Sequence, residues 1–276
     1  MNITKFWSSD VKCAHEIFIN FSCTIIKCMI DQQTLDFYNK NKDLKWSLPD
    51  LPKGIHSKKQ LAAWIVNNPR IGWLELDIDI DLDTWKQEAK EADKHFVDHR
   101  GEDHPGWNSC CIHGIDVDKT GSWTNYGYTD ETQVPYHWTE LSERTPTITD
   151  FWKNTYPVEK YRRVRFMELE PNGYIHPHSD TPGRLPGEFG VEILDHGIPV
   201  NIAIVHPNNC HMIVEGFGTV PWTEGKVISV NIRHYHSVIN FSNERRIHMI
   251  GHGIYGNKID DFCDLIIRSY MKQLSK

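Results

Sequence analysis

The sequence predicts a mainly β protein with flanking helices, and two observations support this. From Tyr161 onward, short runs rich in β-branched residues are separated by Gly, Pro and Asn turns. Many short strands at such spacing are typical of an antiparallel sandwich or barrel. The 276 residues also suffice for one large domain with a substantial core. We therefore predict an α/β N-terminal extension over residues 1–145, a β core over 146–256 and a C-terminal helix over 257–276.

Short elements are predicted in the first third of the chain. In residues 15–30, apolar side chains alternate with others, which favours a strand. Asp31 is a suitable N-cap for a helix that follows it. Ser57 is a second suitable N-cap, and Pro69 lies beyond the end of that helix.

A regular alternation of leucine or isoleucine with acidic residues runs from Leu74 to Asp83. Strict alternation over this length predicts a half-buried strand. Carboxylates at alternate positions could bind calcium or a basic substrate, but such groups on an exposed strand face are usually solvated. We therefore expect a solvated acidic face over Glu75–Asp83. Residues 84–97 then predict a charged amphipathic helix.

The β core is expected to begin with a helix and to continue as a series of strands. Thr145 and Pro146 predict the start of the helix, because proline is favoured at the first helical position. The strands are predicted in "RRVRFMELE", "PNGYIHPHS", "PVNIAIVH", "HMIVEG", "GKVISVNI", "HYHSVINF" and "RRIHMIGHG". The amphipathic segment "DDFCDLIIRSYMKQLSK" predicts the C-terminal helix.

Composition restricts the classes of function. A net charge of −7 argues against a broad nucleic-acid-binding surface, which needs a basic excess. The start of the sequence shows no signal-peptide pattern, and no apolar run approaches the roughly 20 residues that cross a bilayer. Seven cysteines, without a CxxC pair, predict free thiols in a reducing compartment. We therefore expect a cytoplasmic protein that binds neither nucleic acid nor a membrane.

A candidate metal site lies in "YIHPHSD", where His176, His178 and Asp180 occupy alternate positions. Alternate side chains of a strand point to one face. His178 and Asp180 form an HxD pair, and His236 lies downstream in another β-like run. Two histidines and one carboxylate can hold Fe(II) with coordination positions left open, although zinc accepts the same ligands. His234 is the alternative distal ligand, and His176 is expected to be a neighbour of the site.

A candidate anion-binding residue, Arg246, follows His236 by ten residues, which places it on a neighbouring strand. Its guanidinium could bind a carboxylate through two parallel hydrogen bonds. Because a buried arginine without an acidic partner is costly, we expect a bound anion there; the alternative is a surface ion pair with Glu244. Arg245 points to the other face and is expected to be solvated. His206, beside a predicted turn, is expected to be exposed.

Three segments together resemble the aspartyl/asparaginyl β-hydroxylase family of Fe(II)- and 2-oxoglutarate-dependent oxygenases: "EPNGYIHPHSD", "PVNIAIVHPNNCHMIVEG" and "VPWTEGKVISVNIRHYHSVINFSNERR". The resemblance covers roughly residues 160–253. It implies a double-stranded β-helix core of the jelly-roll, or cupin, type with iron at its mouth. It also implies that His178 and His236 bind the iron and that Arg246 binds 2-oxoglutarate. A polar residue near Asn201 is implied to hold a 2-oxoglutarate carboxylate.

Asp180 separates this chain from the vertebrate members that name the family. The resemblance implies that those members have no carboxylate at this position and use two histidines. The chain is in this respect similar to the triad-bearing branch, which includes bacterial hydroxylases of free amino acids. We therefore expect a dioxygenase that uses Fe(II), consumes O2 and 2-oxoglutarate, and hydroxylates an amino acid or a peptidyl residue with release of succinate and CO2.

Two other functions fit parts of the pattern. A cupin-type metalloenzyme that does not use 2-oxoglutarate, such as an isomerase or another dioxygenase, would not require Arg246 at its fixed distance from His236. A non-catalytic jelly-roll binding protein would not require His178, Asp180 and His236 at all. In the favoured interpretation the partner is a small-molecule amino acid or a peptide substrate.

Overall fold

The computed structural model of the protein describes residues 30–180, residue 194 and residues 197–275. The strand predicted over 15–30 lies outside the described residues, except for Ile30. Within the described ranges, two antiparallel sheets are flanked by helices, which confirms the predicted fold class. No helix of these ranges is long and apolar enough to cross a membrane.

The secondary structure follows the chain in this order. The helices are α1 (Gln32–Asn41), α2 (Lys58–Asn67), α3 (Leu82–Glu88), α4 (Glu140–Arg144), α5 (Pro146–Asp150) and α6 (Ile259–Leu274). The strands of the first half are β1 (Trp73–Glu75), β2 (Val97–Asp98), β3 (Trp107–Gly114), β4 (His137–Trp138), β5 (Lys160–Leu169) and β6 (Tyr174–His178). The remaining strands are β7 (Val200–Val205), β8 (Cys210–Val214), β9 (Gly218–Thr219), β10 (Val227–Val230), β11 (His236–Asn240) and β12 (Arg246–Ile254).

The strands of the β core alternate between the two sheets. The larger sheet has the order β1-β10-β7-β12-β5-β3-β2, with β4 also paired to β3, and the smaller sheet has the order β6-β11-β8-β9. Along the chain, β5, β7, β10 and β12 belong to the larger sheet, and β6, β8, β9 and β11 belong to the smaller one. This alternation is the connectivity of a double-stranded β-helix. The strands predicted from Tyr161 onward are therefore confirmed.

Strands from both sides of residue 146 share the larger sheet. β3 pairs with β5, and β1 pairs with β10 at the other end of the sheet. Hydrogen bonds of the larger sheet thus cross the predicted boundary between extension and core. The division into 1–145, 146–256 and 257–276 stays a prediction.

Apolar side chains fill the space on both faces of the larger sheet. One cluster lies between the two sheets and includes Ile175 and Val238. A second cluster packs Phe166 of β5 with Trp64 of α2 and Phe262 of α6. Burial on both faces explains the nearly continuous apolar runs in several strands of this sheet.

Several local predictions are confirmed. Asp31 caps α1, and its Oδ1 accepts a hydrogen bond from Thr34 N at 3.0 Å. Ser57 caps α2, and its Oγ accepts from Gln60 N at 3.2 Å. Pro146 is the first residue of α5. The cysteines of the described ranges, Cys110, Cys111, Cys210 and Cys263, are free and buried.

The long strand predicted from Leu74 to Asp83 is wrong beyond Glu75. β1 ends there, and α3 begins at Leu82 with Asp81 as its N-cap. Between them, the backbone N of Asp77 donates to Ser269 Oγ of α6 at 2.8 Å instead of to a neighbouring strand. The predicted helix over 84–97 is also shorter, because α3 ends at Glu88 and a 3-10 turn, Ala89–Ala92, follows it.

Two acidic side chains of this segment contact basic groups, whereas Asp79, Asp81 and Asp83 are exposed, as the predicted solvated face requires. Asp77 forms ion pairs with Arg268, at 3.7 Å, and with Lys272, both on α6. Glu75 pairs with Lys226 at 3.1 Å. Among the described residues, this segment contributes to no group of three clustered metal-binding side chains. The ion pairs of Asp77 thus help to hold this segment against α6.

Candidate active site

The predicted metal ligands meet where β6 and β11 run side by side. His178, the last residue of β6, is directly opposite His236, the first residue of β11. Their ring centroids are 4.4 Å apart. Asp180 Oδ1 lies 3.5 Å from His178 Nε2, and Asp180 Oδ2 lies 3.9 Å from His236 Nε2. The three side chains can each offer a ligand atom, and these atoms all lie within 4.8 Å of one another.

Backbone carbonyls fix the tautomer of both histidines. His178 Nδ1 is 2.7 Å from the carbonyl oxygen of His176, and His236 Nδ1 is 3.0 Å from that of His234. Because a carbonyl oxygen only accepts, each Nδ1 carries the proton and each Nε2 has a free lone pair. Asp180 is held by its own backbone N, which donates to Ile232 O at 3.0 Å. Two oriented imidazoles and a carboxylate therefore fit a divalent transition metal.

Burial also favours the neutral form of His236, in which the imidazole can bind a metal. Its side chain is 6% exposed, compared with 43% for Asp180. Burial, and then the nearby His178, lower the pKa of His236 to about 4. The ring is thus neutral at pH 7, which is the state that binds a metal. The more exposed Asp180 lies on the open side of the cluster.

The two other histidines that the sequence places near the site have different neighbours. His176 Nδ1 lies 3.2 Å from Asp31 Oδ2 and 3.2 Å from Thr34 Oγ1, so it connects β6 to α1. The ring of His234 packs against Phe217, with centroids 4.7 Å apart. Among the described residues, the three-residue group with metal-ligand geometry contains neither of them.

The ligand cluster opens into a cavity of about 1150 Å³ that is lined by residues of both sheets and of α2 and α6. Arg246 and Asn201 line the same cavity as His178, Asp180 and His236. The structure therefore brings all five predicted site residues together. Asn201 is 5% exposed and lies on β7, opposite Ile228 of β10 and Ile250 of β12.

Arg246 is a buried cation without a described acidic partner. It is 3% exposed, and burial lowers its pKa. Its Nη2 donates to His248 Nδ1 at 2.8 Å, and its Nε has no hydrogen-bond partner among the described residues. Arg245, by contrast, pairs with Asp93 at 2.8 Å and with Glu168 at 3.3 Å. The unpartnered donor of Arg246 fits a carboxylate ligand.

Sequence reasoning missed several residues of the cavity. Arg163 and Arg165 of β5 line it, as do His99 and Trp107 from the region before the β core. His104 is not part of the ligand cluster. Its Nδ1 accepts a hydrogen bond from the backbone N of His176 at 3.1 Å. The alternation of β5 gives Arg163 and Arg165 a common face, and this was the one available signal.

His206 is also placed differently from the prediction. It is half-buried rather than exposed, and its Nδ1 is 3.0 Å from His248 Nε2. Arg246 Nη2 can only donate, so His248 Nδ1 accepts and His248 Nε2 carries the proton. Arg246, His248 and His206 thus form a chain of hydrogen bonds behind the cavity wall.

A comparison with protein families decides the identity at family level. Residues 78–252 match the profile of the family described as aspartyl/asparaginyl beta-hydroxylase, which is more than half of the chain. The chain belongs to the aspartyl/asparaginyl β-hydroxylase family. This confirms the resemblance to a family of Fe(II)- and 2-oxoglutarate-dependent oxygenases. The matched range includes all five predicted site residues. No curated protein matches the sequence significantly.

Solved structures show distant similarity to this family member. A prolyl-4-hydroxylase from Pseudomonas putida is 13% identical, with 69% of this chain and 96% of that chain covered and a TM-score of 0.39. An oxidoreductase of the 2OG-Fe(II) oxygenase family from Burkholderia pseudomallei is 12% identical, with 75% and 93% covered and a TM-score of 0.42. A prolyl hydroxylase from Trichoplax adhaerens is 11% identical, with 73% and 92% covered and a TM-score of 0.39. The family assignment itself rests on the sequence match.

Proposed function

We propose that this aspartyl/asparaginyl β-hydroxylase family member is an Fe(II)- and 2-oxoglutarate-dependent dioxygenase that hydroxylates an amino acid or a peptidyl residue. The observation that carries the proposal is the composition of one cavity. It combines a His-Asp-His cluster with the buried, unpartnered guanidinium of Arg246. A metal site alone would fit many enzymes, whereas the added carboxylate-binding group favours a metal enzyme that uses an organic acid.

His178, Asp180 and His236 would hold Fe(II) through two Nε2 atoms and a carboxylate oxygen. Bound iron and 2-oxoglutarate would together activate O2, so that one oxygen atom enters a substrate C–H bond and the other enters succinate, with loss of CO2. Arg246 would bind the carboxylate of 2-oxoglutarate that lies farther from the metal. Asn201, an amide with both donor and acceptor groups, would contact the same co-substrate.

The protein contributes orientation and exclusion of water. The backbone carbonyls of residues 176 and 234 hold the imidazoles with their lone pairs directed at one point. The apolar side chains of Ile175, Met212 and Val238 line the cavity beside the ligands. An apolar wall strengthens the interaction of Arg246 with an anion, because fewer waters compete for the charge.

The test is a succinate-release assay with Fe(II), ascorbate and 2-oxoglutarate over a panel of free amino acids and short peptides. His178→Ala and Asp180→Ala should abolish turnover and weaken Mn(II) binding measured by calorimetry. His234→Ala is the matched control, since that ring packs against Phe217 instead. Full turnover in His178→Ala or Asp180→Ala, with iron bound normally, would contradict the proposal.

The assay also separates the two alternative functions. Metal binding without any effect of 2-oxoglutarate would favour a cupin-type metalloenzyme of another kind. Absence of metal binding would favour a non-catalytic jelly-roll binding protein. The cytoplasmic location stays a prediction, and fractionation of the source cells would test it.

A further inference from the structure

A β-bulge lies in β6 directly before His178, a proposed metal ligand. Three chain steps lead from Ile175 to His178, but the residues opposite them on β11 are only two steps apart. Two residues of β6, His176 and Pro177, therefore lie opposite the single residue Ser237, and this count defines a bulge. Proline suits such a position, because it has no backbone N–H to contribute to the ladder.

The bulge changes the face of β6 from which the side chains leave. Before it, Ile175 packs in the apolar cluster between the two sheets, whereas Tyr174 packs in a cluster with Leu35 of α1. Unbroken alternation would therefore place both His176 and His178 on the side of α1. His176 does contact α1, but His178 lines the cavity. The extra residue thus directs the side chain of His178 away from α1 and into the cavity.

Ser237 holds the bulge from the side of β11. Its side chain is fully buried, and its Oγ donates to Ile175 O at 2.7 Å. This bond supplies a donor where the regular pairing of β6 and β11 is interrupted. Because a buried carbonyl without a partner is costly, the hydroxyl stabilises the bulged pairing.

His104 holds the bulge from the other side of β6. β6 is the edge strand of its sheet. Beyond this edge, His104 Nδ1 accepts a hydrogen bond from His176 N at 3.1 Å, and Pro105 O accepts from Tyr174 N at 3.1 Å. The loop that contains His104 and Pro105 therefore replaces a further strand at this edge. At the bulge itself, an imidazole nitrogen takes the place of a backbone carbonyl.

The bulged residue His176 also sets the orientation of His178. Its carbonyl oxygen accepts from His178 Nδ1 at 2.7 Å. The side chain of His176 is held in turn by α1, where its Nδ1 lies 3.2 Å from Thr34 Oγ1. A displaced carbonyl would let the imidazole of His178 rotate and carry its proton on Nε2, and a protonated Nε2 cannot bind a metal.

We propose that Ser237 and His104 are positioning residues that hold the bulge of β6 and thereby direct Nε2 of His178 toward the metal. The inference rests on the proposed function, because it takes His178 as a ligand of Fe(II). Among the described residues, the ligand cluster contains neither Ser237 nor His104. Both therefore act through the backbone of β6.

The first test is calorimetric titration of the metal-free protein with Mn(II). Ser237→Ala should weaken Mn(II) binding about 10-fold, the usual effect of removing a group that orients a ligand. Ser237→Thr keeps the hydroxyl and should restore most of the affinity. Ser142→Ala is the matched control, since Ser142 is also buried and its Oγ donates to Thr139 O at the same distance of 2.7 Å. It lies on α4, which contributes none of the described residues that line the cavity, so Mn(II) affinity should not change.

Variants of His104 test the other side of the bulge. His104→Ala should weaken Mn(II) binding by about 3- to 10-fold, because water can partly replace the acceptor at this half-buried position. His104→Asn can place its amide oxygen near the position of Nδ1 and should recover most of the affinity. The His104 pair also decides the proposal if Ser237→Ala does not fold.

The second test measures the tautomer of His178 without any metal. Nitrogen NMR on protein with isotope-labelled histidine, at about pH 8 where an ordinary imidazole is neutral, distinguishes a proton on Nδ1 from one on Nε2. His178→Gln assigns the signal. The unmodified protein should carry the proton on Nδ1, and the signal should move toward a mixture of both tautomers in Ser237→Ala. Ser142→Ala should leave it unchanged.

A structural role alone would lower the Tm without these effects. Unchanged Mn(II) affinity and an unchanged His178 tautomer in Ser237→Ala and His104→Ala would overturn the positioning role. An equal loss of Mn(II) affinity in Ser237→Ala and Ser142→Ala would also overturn it. A failure of the unmodified protein to bind Mn(II) would instead contradict the proposed dioxygenase function, and the tautomer measurement would still decide whether Ser237 orients His178.

Discussion

His248 is predicted to position the Arg246 guanidinium, and His248→Ala tests this. His248 is fully buried, and burial followed by the charge of Arg246 lowers its pKa well below the usual value. It is the described acceptor for Arg246 Nη2 at 2.8 Å, and it lies 3.0 Å from His206. Without it, Arg246 would have unpartnered donors at both Nη2 and Nε.

The magnitude follows from the hydrogen bond that is lost. A bond to a charged group contributes about 1.5–3 kcal/mol, and truncation of a buried ring adds a cavity term of about 1–2 kcal/mol. For a protein of this size, about 2–4 °C in Tm corresponds to 1 kcal/mol, so Tm should fall by about 5–20 °C. Loss of orientation should raise the KM for 2-oxoglutarate about 10-fold, with a smaller effect on kcat.

The assay compares the KM for 2-oxoglutarate and the Tm in three variants. His248→Asn can place its amide oxygen near the position of Nδ1, so it should recover most of the affinity. His211→Ala is the control, because His211 packs against Tyr38 and Phe241 away from the cavity. A lowered Tm with an unchanged KM in His248→Ala would show that His248 only supports the fold, and would refute the positioning role.

Two further predictions concern stability. Asn240 is fully buried, and its two Nδ2 hydrogens are shared among three backbone carbonyls, those of Leu169 and Glu170 at the end of β5 and that of Glu244 in the turn between β11 and β12. Asn240→Ala should cost about 3 kcal/mol in urea unfolding, and a loss below 1 kcal/mol would contradict this account. Burial lowers the pKa of His113 to about 4, below the value of 6.5 for an unfolded chain. As pH falls from 6.5 to 4, the unfolded state therefore binds a proton that the folded state does not, and stability falls by up to about 1.4 kcal/mol per pH unit. His113→Gln should make the pH dependence of unfolding shallower by up to this amount, and an unchanged slope would show that His113 is not a neutral buried group.

Local signals account for the elements that the sequence predicted correctly. Asp31 and Ser57 form their caps with residues three positions away, so the necessary partners are visible in the sequence. The strands from Tyr161 onward are short apolar runs between turn residues, and their partners are strands of the same kind. Such elements can be predicted from propensity and periodicity, because their formation does not depend on a side chain that is distant in the sequence.

The segment after Glu75 shows where periodicity fails. Alternation is necessary for a half-buried strand, but a strand also needs a neighbour for its backbone groups. The N–H of Asp77 instead bonds to Ser269, and that of Glu75 bonds to Gln273, both on α6. These partners lie about two hundred positions away in the chain. No local pattern could reveal that a helix side chain replaces the missing strand.

The site itself was predictable in part. The HxD motif and the ten-residue distance to Arg246 placed the residues in one region, and the register of β6 and β11 shows that His236 lies directly opposite His178. Arg163 and Arg165 could not be assigned to the cavity in the same way. β5 is buried on both faces, so alternation shows that the two arginines share a face without showing which face lines the cavity.

The net charge of the whole chain does not indicate the charge that lines its cavity. The protein carries a net charge of −7. Among the described residues that line the cavity, Asp180 is the one carboxylate, whereas six are arginines: Arg100, Arg162, Arg163, Arg165, Arg233 and Arg246. A negative exterior repels anions at long range but is screened beyond about 8 Å at physiological salt, whereas buried cations are screened much less. The binding of an anion in the cavity would therefore depend on the cavity arginines, and Arg165 and Arg246 are those that lack a described ion-paired carboxylate and also have an Nε without a hydrogen-bond partner.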